Sequence, residues 1–407
     1  MIDYERFFSE ESNLYRVSDI RKLLEVAKQK ELISLGGGLP DFRIIDLNEV
    51  LDAVTTVIMN KGNIALQYSA TNGEPSFIDA LTEYLEKDVG LEVKENESII
   101  VTTGSQQAID ITARLFLNPN DVLLLEKPTY VASLNAFFPR RPRFEGLEIT
   151  SDDGISVDEL ESKLEKLKKE GIKPKVLYII PSYQNPTGAI LPEKSRRKIV
   201  ELAHEYDFLV VEDDPYSQLT YEGEKPKPIK AFDKEGRVIY ISTLSKVVSP
   251  GLRIGFVLAD RAVINRYSLI KQALDLHSST LTQLIAEELL RRGFHRKYLS
   301  NIIPTYRSRR DVMLRSLEEE LGDNAVWTRP RGGMFVFVWL KSNIDTKKLL
   351  EKAINSGVLY VPGSGFYYDG SGRNTMRLNF SYPSEEDIRK GIKILGELVK
   401  SEAERNG

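Results

Sequence analysis

The chain has 407 residues, long enough for a large domain with a smaller companion, and its 41% hydrophobic and 29% charged residues indicate a soluble globular protein. Lys and Arg number 56 against 60 Asp and Glu, and this net charge of -4 argues against a dedicated nucleic-acid or anionic-membrane surface. The absence of cysteine excludes thiol catalysis and disulfides, and the three histidines do not pair at metal spacing, so we expect no metal site.

Neither a membrane anchor nor a secretory signal is indicated by the pattern of apolar residues. No apolar run approaches the roughly 20 residues of a membrane-spanning helix. The first residues, MIDYERFFSEE, lack the basic-then-apolar order of a signal peptide. We therefore expect a cytoplasmic protein whose partners are small molecules.

Six strand-like runs alternate with helical patterns in the first two thirds of the chain. The runs are apolar on both faces, as buried parallel strands require. They lie at 98–103, 121–126, 175–181, 208–214, 238–243 and 255–260. Between two of them, Ser156 and Glu159 form a capping box that opens a helix, and Gly171 ends it. This alternation predicts an α/β domain with a mainly parallel sheet.

The remaining chain has a different pattern. Two long helices are predicted at about 261–292 and 295–321. Strands of a second sheet are predicted in VWTRPRGGMFVFVWL and NTMRLNFSY, with further helices at about 345–356 and 384–404.

We therefore expect a chain of three parts. Residues 1–45, with a helix around 18–30, form an N-terminal segment that packs on the small domain and the active site. Residues 46–295 form the large domain, and residues 296–407 form a smaller α+β domain.

Small and polar residues follow the predicted strands, and ligands bind at the carboxyl ends of strands in open parallel sheets. After the first strand, Gly104, Ser105 and Gln106 open a helix, whose free N–H groups and positive dipole end suit a phosphate. An ordinary strand-to-helix turn explains the same residues. Tyr130 follows the second strand, where it can stack on a flat ring or pack in a loop.

The next two strands end in an amide and in carboxylates. Asn185 precedes a proline, which keeps it out of the helical region, and its amide can bind a ligand, although turn chemistry also explains the sequence NPTG. Asp213 and Asp214 end an apolar strand shortly before Tyr216. Buried carboxylates are costly unless a cation or a metal accompanies them.

The last stretch, TLSKVVSPGLRIGF, places Lys246 among small and apolar residues without an acidic neighbour. Thr243, Ser245 and Arg253 lie around it and can bind an anion. A lysine near another cation in a partly dry pocket has a lowered pKa and becomes a nucleophilic amine. A ligand with a phosphate, a flat ring, a basic ring nitrogen and an aldehyde satisfies the whole set, and pyridoxal 5′-phosphate (PLP) fits that description.

Six motifs stand in the order and spacing of the fold-type I aminotransferases: Gly104-Ser105-Gln106, Pro128-Thr129-Tyr130, Asn185-Pro186-Thr187-Gly188, Asp213-Asp214-Pro215-Tyr216, Ser245-Lys246 with Pro250-Gly251-Leu252-Arg253, and Arg377-Leu378-Asn379. The chain resembles the branch with kynurenine, 2-aminoadipate, aromatic and archaeal alanine–glyoxylate aminotransferases. The resemblance extends from about residue 15 to the end. It implies a large PLP-binding domain with a mainly parallel sheet and a smaller α+β domain.

The resemblance implies a role for each cofactor-site residue. Lys246 holds PLP covalently and moves the substrate proton, and Asp213 keeps the pyridinium nitrogen protonated. Tyr216 and Asn185 bind the ring oxygen O3′, and Tyr130 stacks on the ring. The phosphate is bound by the turn that begins at Gly104 and by Ser105, Gln106, Thr243, Ser245 and Arg253.

The resemblance also implies the substrate-binding residues. Arg377 holds the α-carboxylate, helped by Asn185 and by the Gly36-Gly37-Gly38 segment, of which Gly37 and Gly38 are the main candidates; the same glycines suit a flexible entry loop. Arg21 is placed to receive a distal carboxylate or to lie solvated on its helix. The loop from Asp41 departs from the family pattern, so substrate preference does not carry over directly.

The resemblance further implies a homodimer with shared active sites. Tyr68 matches a tyrosine that reaches the phosphate of the neighbouring subunit, although a packed aromatic explains it equally well.

The predicted activity is ping-pong transfer of an amino group from an L-amino acid to a 2-oxo acid. We expect broad specificity for 2-aminoadipate, aromatic or neutral amino acids, with 2-oxoglutarate as acceptor, and alanine with glyoxylate as the rival pair. A β-lyase or decarboxylase would use the same cofactor. A PLP-sensing regulator without enzymatic role would need a DNA-binding segment in front, for which the sequence before residue 15 leaves no room.

Overall fold

The computed structural model describes residues 2–15 and 32–406, and a seven-stranded sheet is its largest element. A short strand, β1 (Ile33–Ser34), precedes that sheet in the chain. The seven strands are β2 (Glu97–Thr103), β3 (Val122–Lys127), β4 (Arg143–Glu148), β5 (Pro174–Ile179), β6 (Leu209–Asp214), β7 (Val238–Thr243) and β8 (Ile254–Asp260).

The order of the large sheet is β2-β8-β7-β6-β5-β3-β4. All six predicted strands are present within a residue or two of their predicted bounds, and the central ones run parallel. Strand β8 runs antiparallel to both of its neighbours. Strand β4 was not predicted, because RFEGLE is a polar edge strand without a continuous apolar run.

Helices cover the large sheet and continue into the rest of the chain. In chain order they are α1 (Leu47–Ala65), α2 (Pro75–Tyr84), α3 (Ser105–Phe116), α4 (Val131–Phe137), α5 (Val157–Lys169), α6 (Glu193–Glu205), α7 (Arg261–Asp275), α8 (Thr280–Arg291), α9 (Phe294–Glu320), α10 (Thr346–Asn355) and α11 (Glu385–Asn406). Within the described ranges, no helix combines the length and apolar character that a membrane span requires.

The long helix predicted at 261–292 is wrong, because the segment contains two helices. Helix α7 ends at Asp275, and the next residue, Leu276, has a φ of 64° that no helix accepts. Ser279 then caps α8 by accepting a hydrogen bond from the N–H of Thr282. The apolar period alone does not register such a break.

A second, four-stranded sheet lies in the C-terminal third. Its strands are β9 (Ala325–Trp327), β10 (Phe335–Leu340), β12 (Val361–Pro362) and β13 (Thr375–Asn379), in the antiparallel order β12-β13-β10-β9. Strand β11 (Val358–Leu359) pairs with β1 instead, so residues 33–34 join this part of the molecule. The domain limits at residues 45 and 295 stay a prediction.

The alternation of side chains along β6 decides what faces the site. Val211 and Asp213 point to one face of the sheet, and Val210, Glu212 and Asp214 point to the other. Two apolar clusters fill these faces, with Val211 in one and Val210 in the other. The strand is therefore buried on both sides, and its carboxylates lie in an apolar environment.

Candidate active site

A cavity of about 160 Å³ lies beyond the carboxyl ends of β5, β6 and β7. Its lining contains every predicted cofactor-site residue except Gly104 and Tyr68. The lining residues are Ser105, Gln106, Tyr130, Ile180, Asn185, Asp213, Pro215, Tyr216, Thr243, Ser245, Lys246, Pro250 and Arg253. Ile180, Pro215 and Pro250 were not predicted as site residues, although both prolines belong to the quoted motifs, because apolar and proline side chains carry no chemical signal in a sequence.

Lys246 stands at the end of a short turn that follows β7. Its Nζ donates a hydrogen bond to the carbonyl of Gly38 at 3.0 Å. Burial, with the nearby charges of Arg377 and Arg253, lowers the pKa of Lys246 to about 8. A larger share of this amine is therefore unprotonated at neutral pH than on a surface lysine, as a nucleophile requires.

Asp213 is a buried carboxylate with one oxygen free. Its Oδ2 accepts a hydrogen bond from the hydroxyl of Tyr178 at 2.7 Å. Its Oδ1 is buried and has no hydrogen-bond partner among the described residues. Burial raises the pKa of Asp213 to about 7, the hydrogen bond from Tyr178 lowers it, and the charge of Asp214 raises it. A cationic N–H group from a ligand fits this free oxygen, and the ring nitrogen of PLP is such a group.

A small-residue cradle joins the start of α3 to Arg253. Gly104 has a φ of 75°, and a Cβ there would lie 2.3 Å from the guanidinium of Arg253. A Cβ on Gly255 would lie 2.5 Å from the backbone nitrogen of Ser105. Both glycines are therefore required for the close approach of Arg253 to the helix N-terminus, where N–H groups and a cation together suit a phosphate.

Arg377, on β13, is a buried cation that forms no ion pair with a carboxylate of the described residues. Its Nη1 donates to Asn185 Oδ1 at 2.9 Å, and its Nη2 donates to the carbonyl of Gly36 at 2.8 Å. Its Nε is buried and finds no partner in the described part of the chain, and the guanidinium lies 4.2 Å from the ring centre of Phe335. Burial lowers its pKa to about 10, so it stays charged at neutral pH. An incoming carboxylate would complete this group.

The loop that carries Asn185 is held in place by hydrogen bonds from a buried arginine. Asn185 Nδ2 lies 3.5 Å from the hydroxyl of Tyr216, whose pKa is raised by burial. Arg196 is almost fully buried and donates to the carbonyls of Pro181 and Leu191, one at each end of the loop. The sequence did not single out Arg196, because it lies in a helix with several other basic residues.

The glycine segment is anchored through Asp41, the residue at which the loop departs from the family pattern. Its buried carboxylate accepts from Arg43 at 2.7 Å and from Arg309 at 3.0 Å, and its N–H donates to the hydroxyl of Tyr306. Arg309 and Tyr306 lie on α9, more than 260 residues away in the chain. The carbonyls of Gly36 and Gly38 therefore face Arg377 and Lys246 from a fixed segment.

Tyr68 and Gly37 do not line the cavity, and Arg21 is not among the residues that the structure describes. Tyr68 is 78% exposed and lies outside the cavity, with its ring edge-on to His277 at 5.8 Å. Arg21 and the predicted helix around 18–30 lie outside the described residues. Gly37 belongs to the anchored glycine segment and does not line the cavity.

Comparison with known proteins places this geometry in a family. The family model described as aminotransferase class I and II matches residues 30–395. The aromatic-amino-acid aminotransferase 1 of Thermococcus litoralis is 44% identical over 405 residues, which covers 99% of this chain and 96% of that protein.

Two solved structures are similar over nearly their whole length. The kynurenine aminotransferase of Pyrococcus horikoshii, in complex with PMP, has a TM-score of 0.94 and 43% identity, and the match covers 98% of each chain. An archaeal alanine:glyoxylate aminotransferase has a TM-score of 0.93 and 37% identity over 98% of this chain and 100% of that one.

Proposed function

Because the chain belongs to the class I and II aminotransferases and is a PLP-dependent aminotransferase, we propose that the cavity at Lys246 is its active site. There it moves an amino group from an L-amino acid to a 2-oxo acid in two half-reactions. The observation that carries the proposal is the convergence of the Lys246 amine, the free oxygen of Asp213 and the Arg253 cradle on one cavity.

The residues around the cavity fit PLP by charge and by shape. Arg253 and the N–H groups at the start of α3 would hold the phosphate, together with the hydroxyls of Thr243 and Ser245, which also line the cavity. Asp213 Oδ1 would accept a hydrogen bond from the ring nitrogen, and Tyr216 and Asn185, which contact each other, would bind the ring hydroxyl. When bound, PLP supplies an electron sink for the charge that develops at the substrate Cα.

Arg377 and Lys246 position the substrate and move its proton. Arg377 binds the α-carboxylate through its planar guanidinium, with Asn185 and the carbonyl of Gly36 fixing the direction of the fork. This contact directs Cα toward Lys246, whose Nζ removes the proton from Cα. The carbonyl of Gly38 orients the amine, and the lowered pKa of Lys246 increases the fraction of the amine that can accept a proton at neutral pH.

Substrate range is proposed to be broad. The relatives described above are named for aromatic amino acids, for kynurenine and for alanine with glyoxylate. We expect aromatic and neutral donors and 2-aminoadipate, with 2-oxoglutarate as acceptor, and we keep alanine with glyoxylate as the second candidate pair. Arg21 remains the predicted contact for a distal carboxylate.

The test of function is the absorbance spectrum of the PLP-loaded protein after amino acids are added one at a time. The visible band of the bound cofactor is expected to shift to the ultraviolet with each accepted donor, and one equivalent of 2-oxo acid is expected per site. Steady release of oxo acid and ammonia without an acceptor would point to a lyase instead, and release of CO2 would point to a decarboxylase. A spectrum that no amino acid changes would contradict the proposal.

The cytoplasmic homodimer predicted from the sequence also stays a proposal. Tyr68 lies on the surface, and large apolar side chains of α1 and its C-terminal turn are exposed near it in the chain, including Leu47, Leu51, Met59 and Leu66. We propose that this surface meets a second copy and that Tyr68 reaches that copy's phosphate site.

Subunit complementation tests the shared site. Lys246→Ala and Tyr68→Ala chains carrying different tags are co-expressed, and the mixed dimers are assayed at limiting PLP. A mixed dimer is expected to regain one intact site and more activity than either parent. Mixed dimers with no more activity than the parents, or a monomer in sedimentation, would contradict the shared site.

A further inference from the structure

Among the described residues, Asp213 accepts one side-chain hydrogen bond, on Oδ2, and its Oδ1 has no partner. Tyr178 lies on β5 opposite Val211 of β6, on the face of the sheet to which Asp213 points. Its hydroxyl donates to Asp213 Oδ2 at 2.7 Å, and no other donor to this carboxylate lies in the described part of the chain. The contact turns Oδ1 toward the cavity.

Tyr178 is itself fixed in place. It has no exposed surface, and its ring packs against that of Phe137 with centroids 5.2 Å apart at 71°. The phenol is therefore buried, packed on its ring and hydrogen-bonded at its hydroxyl.

We propose that Tyr178 is a positioning residue that keeps Asp213 anionic and aimed at the ring nitrogen of the cofactor. The proposal rests on the proposed role of Asp213. Tyr178 does not line the cavity, so it acts through the carboxylate alone.

Electrostatics gives this hydrogen bond its importance. Burial raises the pKa of Asp213, and the bond from Tyr178 is the interaction that lowers it. A donor to a carboxylate stabilises its charged form. Without that donor, Asp213 carries less charge near neutral pH and holds a protonated nitrogen less tightly.

The opposite face of β6 contains a matched control. Tyr240 on β7 donates to Asp214 Oδ2 at 2.9 Å, and both residues are buried. Asp214 also accepts from the N–H of Ser217 and does not line the cavity. Tyr240→Phe thus removes an equivalent buried Tyr–Asp bond one residue along the strand, away from the ligand.

The experiment measures how well the full-length, cofactor-depleted protein recognises a ring nitrogen. Fluorescence titration gives the Kd of pyridoxamine 5′-phosphate and of its carbocyclic analogue, in which a C–H group replaces the ring nitrogen. The Kd of the analogue divided by the Kd of pyridoxamine 5′-phosphate measures the Asp213 contact, because a general loss of affinity changes both values alike and cancels. Thermal unfolding of each variant is recorded alongside.

Tyr178→Phe is expected to reduce that ratio by about tenfold or more, the size expected for a hydrogen bond to a charged group. Tyr240→Phe is expected to lower Tm and to leave the ratio unchanged. An unchanged ratio in Tyr178→Phe, with weaker binding of both ligands alike, would mean that the phenol only fills space and would overturn the proposal.

Asp213→Asn separates this inference from the proposed function. If Asp213→Asn leaves the wild-type ratio intact, the role of Asp213 itself is wrong. If Asp213→Asn lowers the ratio to about one while Tyr178→Phe leaves it at the wild-type value, only the role of Tyr178 is wrong. Should Tyr178→Phe fail to fold, the Tyr178→Phe/Asp213→Asn double variant, which buries no unpartnered charge, is compared with Asp213→Asn. Equal ratios support action through Asp213, and a further drop contradicts it.

Discussion

Two neighbouring carboxylates on β6, Asp213 and Asp214, point to opposite faces of the same sheet and have opposite hydrogen-bonding states. Asp214 is satisfied on both oxygens, by the hydroxyl of Tyr240 and by the N–H of Ser217. Asp213 accepts from a tyrosine on one oxygen, and its other oxygen has no partner among residues 2–15 and 32–406. Because an unpartnered buried polar atom is costly, a free oxygen beside a cavity indicates a group that a ligand completes.

Buried lysines on the two sides repeat this difference. Lys230 is buried between the carboxylates of Glu97 and Asp233, at 2.6 Å and 3.1 Å. Lys246 has two arginines near it and the carbonyl of Gly38 as its contact. We call the Asp214 face of β6, where the buried charges are paired, the closed side, and the Asp213 face the open side. Our proposal assigns the chemistry to the open side.

The largest expected effect is a loss of turnover when Lys246, but not Lys230, is replaced. Lys246→Ala is expected to lower turnover by about three orders of magnitude or more, because the base and the cofactor link are both lost. PLP should still bind noncovalently. Steady-state kinetics with and without an added primary amine measures the loss of the base, since the added amine should restore part of the rate.

Lys230→Met serves as the contrast. The substitution leaves two buried carboxylates without their cation. It is therefore expected to lower the free energy of unfolding by about 3–5 kcal/mol, while turnover per folded molecule stays near wild type. If instead Lys246→Ala retained near wild-type turnover, the open side would not be the catalytic side.

The pH dependence of cofactor capture follows from the lysine on the open side. The neutral amine attacks the aldehyde of PLP, and the pKa of Lys246 is lowered to about 8. The protonated form predominates below that value, so the capture rate is expected to rise about tenfold per pH unit from pH 6 and to level off above pH 8. Stopped-flow absorbance measures the rate. A rise that continues to pH 10 would mean an ordinary surface-like amine.

Arg377→Lys tests the open arginine. A lysine keeps the charge but loses the planar fork and its contacts to Asn185 and Gly36, so KM for both substrates is expected to rise by about 30-fold. The Kd of pyridoxamine 5′-phosphate is the internal control and should change little. A KM that stays at its wild-type value would assign the carboxylate to another group.

The smallest functional effect is expected for Asp214→Asn on the closed side. The amide keeps the shape of the carboxylate and can still accept one of its two hydrogen bonds, so kcat/KM should change less than about threefold while Tm falls by a few degrees. Calorimetry and kinetics on the same sample check the two halves of this expectation. A large loss of activity without a loss of stability would erase the difference between the two faces.

The cofactor side of the site could be predicted from the sequence because its residues follow successive strands of one sheet. Ser105, Asp213 and Lys246 each stand directly after or at the end of a buried apolar run, and the topology brings these ends together. Tyr178 was missed because it lies inside such a run, where an aromatic is indistinguishable from core.

The substrate side depends on contacts that no local pattern encodes. Arg377 and Gly36 are 341 residues apart in the chain, and the anchors of Asp41 come from α9. Only the family resemblance pointed to Arg377, and neither it nor the residues indicated how Asp41 holds the glycine segment. The break between α7 and α8 and the edge strand β4 were missed because tertiary contacts, not apolar periodicity, determine them.

The most direct test of the central claim is to find which lysine holds the cofactor. The PLP-loaded protein is reduced with borohydride, which makes the link permanent, and is then digested and mapped by mass spectrometry. The phosphopyridoxyl mass is expected on the peptide that contains Lys246 and in an amount close to one per chain. The same mass on a different lysine, or no stoichiometric label at saturating PLP, would contradict the assignment of this cavity as the active site.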